Sequence, residues 1–176
     1  MRNASALVVL ALATPAAAES HVGGGYVMGR PVAGRAGGAD HALAFHVDTV
    51  VRDEIDVGVT IEGGYTPGNA DESLKRFAVM PGVGFRGAVG ELLVRADVLV
   101  GWQVVDGRTH LAGLPVTGTE TRCVRAELTI GVDAPLSGSF ALRARAGLAV
   151  DAIYPVNVDG MTRLAPLIEI AVMARL

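Results

Sequence analysis

The residues in this chain that could do chemistry are few, and their spacing works against them. Four histidines stand at His21, His41, His46 and His110. His41 and His46 are an odd number of residues apart, so on an extended chain they point to opposite sides and cannot share a metal ion. His46 and Asp48 do share a side, as a general base and its orienting acid would. No serine lies on a strand face beside them, however, since Ser73 and Ser137 fall in a connection and a turn. The pair therefore reads as structural. Cys123 is the single cysteine, so no internal disulfide can form, and its place beside Arg125 fits an inert buried thiol better than an activated one. Gly23-Gly24-Gly25 and Gly37-Gly38 are not followed by a helix, which removes a phosphate cradle. The acids Asp71, Glu72, Asp106 and Asp159 lack calcium-loop spacing. No catalytic residue, metal or cofactor is expected.

The elements that carry these residues announce themselves by a period of two. From 55 to 66, Ile55, Val57, Val59, Ile61, Gly63 and Tyr65 alternate with Asp56, Gly58, Thr60, Glu62, Gly64 and Thr66. That is a strand with one apolar and one polar face. The pattern returns at 92–104, where valines and Trp102 oppose Arg95, Asp97 and Gln103, and at 123–133, where Val124, Leu128 and Ile130 oppose Arg125 and Glu127. Residues 140–152 set Phe140, Leu142, Leu148 and Val150 against Arg143, Arg145 and Asp151, and the last stretch sets Ile168, Ile170 and Val172 against Arg163, Glu169 and Arg175. Less regular stretches at 22–30, 41–51 and 76–86 bring the expected total to eight strands. Pro81 falls mid-strand and predicts a bulge, because it removes a ladder donor.

Composition narrows the class. In 176 residues, 51% are hydrophobic and only 19% charged, which excludes disorder and requires a large covered or lipid-facing surface. The formal charge is −3 and Lys75 is the single lysine, so there is no basic stripe for nucleic acid. Residues 1–18 read as a signal peptide: Arg2 precedes the apolar run Ala6–Ala13, and Ala16-Ala17-Ala18 forms a small-residue cleavage site before Glu19. The expected division is a signal peptide at 1–18 and one barrel domain at 19–176. No later run approaches the roughly 18 apolar residues of a spanning helix.

The connections alternate. Those at roughly 31–39, 67–75, 105–119 and 155–162 are long, while those at Arg52-Asp53, Val89-Gly90 and 135–138 are short. A meander so connected has all its long loops at one end and its turns and termini at the other, and closing it protects every strand edge. Ring placement then chooses the outer face. Tyr26, Tyr65, Phe77, Trp102 and Tyr154 lie near the loop-side ends of the apolar face, and Phe85 and Phe140 near the turn side. Rings sorted to strand ends suit the boundary between headgroups and hydrocarbon. The opposite face offers Asp56, Glu62, Arg86, Arg95, Asp97, Arg125, Glu127, Arg143, Arg145, Glu169 and Arg175, a near-balanced set expected to pair inside a lumen.

On these features the chain resembles the small eight-stranded outer-membrane β-barrels, such as the OmpA membrane domain, OmpX and the opacity-type surface proteins. The resemblance covers nearly all of 21–176 and lies in architecture. It implies an all-β, antiparallel up-and-down transmembrane barrel in a bacterial outer membrane, in contact with outer-membrane lipid and inserted by the barrel-assembly machinery. That machinery reads a final strand that in the family usually ends in an aromatic residue; here it ends in Leu176. The expected function is non-enzymatic, a charge-filled scaffold whose surface loops make structural or adhesion-type contacts with an extracellular partner the sequence does not name. Two alternatives stand beside it. One is a soluble periplasmic lipocalin-like barrel that points its apolar face inward around a small molecule; the other is a lipid-modifying hydrolase using His46 and Asp48.

Overall fold

A computed structural model describes residues 19–32, 39–52, 54–67, 73–111, 114–154 and 161–176. The expected signal peptide, Gly37-Gly38, Asp71, Glu72 and Asp159 lie outside the described residues. Eight strands follow in order: β1 (Ser20–Gly29), β2 (Asp40–Arg52), β3 (Ile55–Thr66), β4 (Ser73–Val89), β5 (Leu92–Leu111), β6 (Leu114–Ser137), β7 (Phe140–Ile153) and β8 (Met161–Arg175). Each pairs antiparallel with its sequence neighbour, and β1 pairs with β8 to close the barrel.

Closure explains why the first strand carries a weak alternation signal. At the seam β1 brings Gly23 opposite Met173 and Gly25 opposite Ala171. A Cβ on Gly25 would come within 2.7 Å of the Ile170 carbonyl oxygen, so the strand that completes the cylinder gives up side chains to fit.

Several strands run longer than their alternation suggests. The stretch at 105–119, expected as a connection, is mostly ladder: Val105 pairs with Glu120 and Leu111 with Leu114. Its residues, with Gly107, Gly113 and Gly118 among them, do not keep a sequence period of two. Pro81 does not produce the expected bulge. Val59 stays opposite Pro81 on the β3 side, and on the β5 side the register resumes unshifted from Val79–Trp102 to Gly82–Leu99. The missing donor shows instead as a gap, since Met80 and Pro81 have no β5 partner within that unshifted register. Register shifts occur instead at Val50/Arg52, Gln103/Val105 and Pro135/Ser137.

The cylinder is inverted relative to a soluble protein. Its outer wall exposes Leu43 at 70% and Ile130 at 67%, while Glu62 and Arg125 are buried to 0% and 1%. Buried apolar residues form only small groups, such as Leu74, Val105, Cys123 and Ile153 towards the loops, and Ala78, Met80 and Leu99 lower down. A barrel holding an apolar ligand would have the opposite polarity.

Candidate functional site

Alternation delivers one polar side chain per two residues to the lumen, and strand pairing sets their heights. Towards the turn side, Arg95 is the hub. Its guanidinium donates to Asp97 at 2.6 Å and to Asp133 at 3.3 Å, and lies 3.4 Å from Asp56 and 3.6 Å from Asp48. Arg143 donates to Asp48 at 2.6 Å and to both oxygens of Asp133 at 2.8 and 2.9 Å. A guanidinium fork suits this work because its donors lie in one plane and match two carboxylates at once.

In the middle of the lumen, Arg145 reaches Asp97 at 3.4 Å and bonds to Glu169. The other Glu169 oxygen lies 2.5 Å from His46 Nε2, and His46 Nδ1 is 2.9 Å from Thr60 Oγ1. Towards the loops, Arg125 donates to Glu127 and Asp151, both at 2.7 Å, and lies 3.6 Å from Glu62. Arg76 joins Glu62 at 3.5 Å to Asp40 at 3.1 Å, and Arg163 donates to Asp40 at 2.6 Å. Gln103 donates to Asp151 at 3.0 Å. These chains of contacts cross the lumen from wall to wall. A cavity of about 220 Å³ opens at the turn-side mouth, between Glu19, His21, Asp133, Phe140 and Arg175.

On the outer wall the seven rings are all exposed: Tyr26, Tyr65, Phe77, Trp102 and Tyr154 towards the loops, Phe85 and Phe140 towards the turns. Tyr26 also bonds through its hydroxyl to His41 Nδ1 on the neighbouring strand. Between the two sets of rings the wall is mostly valine, leucine, isoleucine and alanine, with Phe45 exposed among them on β2 and the row Val83, Val98, Leu128 and Leu148 running in register around four strands.

No protein-family model matches the chain, and no curated protein matches it. Solved structures do. Neisserial surface protein A (NspA) superposes with a TM-score of 0.60 over 90% of this chain and 97% of that one, at 8% identity. Ail, the attachment invasion locus protein of Yersinia pestis, gives 0.56 over 90% and 99%, at 11% identity. The outer membrane protein OprG from Pseudomonas aeruginosa gives 0.54 over 91% and 96%, also at 11% identity. The fold is that of the small outer-membrane β-barrels.

Within this outer-membrane barrel fold, nine of the eleven residues expected to pair in the lumen do lie inside or bond across it; two sit at the turn-side mouth. Arg175 is 61% exposed and pairs with Glu19 at 3.4 Å, a correction to its expected place in the network. It is the last residue of β8, so the lumen has already opened at its height. Arg86 is half-buried there, 3.9 Å from Glu19. His46 and Asp48 do not form the base-and-orienter pair considered from sequence. His46 is engaged by Thr60 and Glu169, and Asp48 by Arg143, so each finds its counterpart on another strand. Asp40, Arg76, Asp133, Asp151 and Arg163 complete the network without having been singled out as members. Asp40 and Arg76 belong to strand ends where the apolar alternation has faded, and parity alone places the other three on the polar face.

Proposed function

We propose that this protein is an integral outer-membrane barrel with no catalytic role, exported by a cleaved leader at 1–18, in contact with outer-membrane lipid and inserted by the barrel-assembly machinery. The observation that carries this reading is the inverted wall with its rings. Phe77 and Phe85 on β4 are eight residues apart, about 19 Å along the normal at about 3.4 Å per residue and a 45° tilt. Phe140, which opens β7, and Tyr154, the residue after it, are fourteen residues apart, about 34 Å by the same arithmetic. The two spacings bracket the apolar band of about 25 Å that an outer membrane presents. Lipid in this role needs no partner site; it is the solvent of the wall, and the rings are its boundary.

Eight strands leave an interior just wide enough for side chains, and here arginines and acids occupy it, so general diffusion is not the task. The contact surface is the β5–β6 hairpin. β5 continues nine residues past Trp102 to Leu111, about 30 Å of strand, paired all the way to β6. We read this hairpin as the segment that meets another molecule. Ail, which shares the fold, is an attachment invasion locus protein, and we read the hairpin in the same sense.

Fractionation of cells expressing the protein, with electrophoresis of heated and unheated samples, tests the reading. It requires recovery with the outer membrane and faster migration unheated; a water-soluble chain in the periplasmic fraction defeats it. Removing 106–119 should abolish binding to host surfaces or matrix while leaving the heat-dependent shift intact. The hydrolase alternative has no support in the geometry around His46, and unchanged lipid A on deleting the gene would count against it.

A further inference from the structure

Charge is scarce on the outer wall, and at the loop-side end it gathers on one arc. Successive ladder partners place Met28 of β1, His41 of β2, Tyr65 of β3 and Lys75 of β4 in one outward row, a step above Tyr26 and Phe77. Arg30, exposed just past β1, stands two residues beyond Met28, and its backbone N–H donates to the Pro166 carbonyl oxygen. Lys75 is the single lysine of the chain and is exposed. Neither it nor Arg30 has an ion-pair partner among the described residues, whereas Arg76, Arg95, Arg125, Arg143, Arg145 and Arg163 in the lumen are all engaged by carboxylates. The acids Asp40 and Glu62 on these strands are buried inside. The arc ends at β5, where Asp106 stands opposite Lys75 in register and accepts from the Thr119 hydroxyl at 2.9 Å. Below the row the wall is recessed: Gly63 faces outward between Leu43 and Phe77, and a Cβ there would meet nothing within 4 Å.

We infer that this face of β1–β4 holds one molecule of a phosphorylated, acylated glycolipid of the outer leaflet, its phosphates against Arg30, His41 and Lys75 and an acyl chain in the recess at Gly63. The inference rests on the outer-membrane reading above, which sets the loop end of the barrel in that leaflet. Phosphate oxygens only accept hydrogen bonds, so they need a run of donors, and the Lys75 ammonium, the Arg30 guanidinium and the Tyr65 hydroxyl supply one with no outward carboxylate between them. His41 and Lys75 stand two strands apart, about 10 Å at about 4.8 Å per strand, a span that one phosphorylated disaccharide covers. An apolar recess directly beneath the donors selects a ligand charged at one end and hydrocarbon at the other, which inorganic phosphate is not. The turn-side end offers no such run, since the exposed Arg52 has the exposed Glu54 two residues on.

Native mass spectrometry of the folded full-length barrel in detergent, titrated with bisphosphorylated lipid A, tests this, with heat-dependent gel migration confirming that each variant is folded. The wild type should retain one lipid A, and neither phosphatidylglycerol nor inorganic phosphate should displace it. Lys75→Gln and Arg30→Gln should each weaken retention about fivefold, the worth of one cation at a lipid surface. Gly63→Leu should weaken it with every charge in place, and Arg52→Gln at the turn side should leave it unchanged. Undiminished retention in the Lys75→Gln, Arg30→Gln double variant overturns the inference. Displacement by phosphatidylglycerol overturns it as well, because the arc would then be a general anion surface, and so does equal retention of lipid A stripped of its phosphates. The outer-membrane reading fails separately, on fractionation and the heat-dependent shift of the wild type before any lipid is added.

Discussion

Arginine at Val98 distinguishes a wall that faces lipid from one that faces water. Val98 points outward from β5 at 47% exposure, with Val83 and Leu128 beside it in register on β4 and β6. The ring row at Trp102 is four residues away, about 10 Å along the normal at about 3.4 Å per residue and a 45° tilt. A guanidinium at 98 thus starts near the middle of the apolar band, where arginine costs about 2–4 kcal/mol, a shift of about 30- to 900-fold in the folding equilibrium. Val104→Arg, outward on the same strand but beyond the ring, should cost about 0–1 kcal/mol. Leu99→Arg points inward, where its Cα partner across β6 is Glu127, so the lumen can supply a counter-ion; its penalty is overpacking against Ala78 and Met80. Urea unfolding of each variant refolded into phospholipid vesicles, followed by heat-dependent gel migration, measures all three. Were the wall exposed to water, Val98→Arg would be a surface change within about 0.5 kcal/mol. That result, or equal losses at 98 and 99, would refute the assignment of faces.

Arg125→Met should lower stability by about 3–5 kcal/mol in the same urea assay, because Glu127 and Asp151 lose their 2.7 Å partner while remaining buried. Gly101→Ala should cost about 1–3 kcal/mol, since its Cβ would meet backbone at 2.0 Å, whereas Gly87→Ala meets nothing and should be neutral; thermal midpoints compare the two. Cys123, buried within the loop-side apolar group, should react with a thiol reagent only when the chain is unfolded, as mass spectrometry with and without denaturant would show.

What could be read from the residues follows from what alternation encodes. A period of two states which residues share a face, and it did so for the strands from Ile55 onward where valine or leucine marks one side. Where glycine and scattered polar residues interrupt the alternation the signal vanishes, although the backbone still pairs, as in the hairpin beyond Trp102. Glycine has the same effect at the seam: β1 offers the β8 backbone room rather than side chains, so it looks irregular in isolation. Pro81 was misleading for a different reason. A missing donor removes a ladder bond, and a strand held in register on both sides of it can leave that bond unmade without inserting a residue.

Partners inside the lumen are a different kind of information. His46 meets Glu169, and Arg163 meets Asp40, each across 123 positions of sequence. No local pattern contains those pairings, because each depends on closure between β1 and β8 and on the stagger that sets the height of β2 against β8. A shift of two residues at the seam would preserve every face and exchange both of these partners. What survives such a shift is the sum: the inward face carries more acid than base however the pairs are drawn. Register therefore decides which acid His46 and Arg163 each meet, while alternation decides only that they meet one inside the lumen.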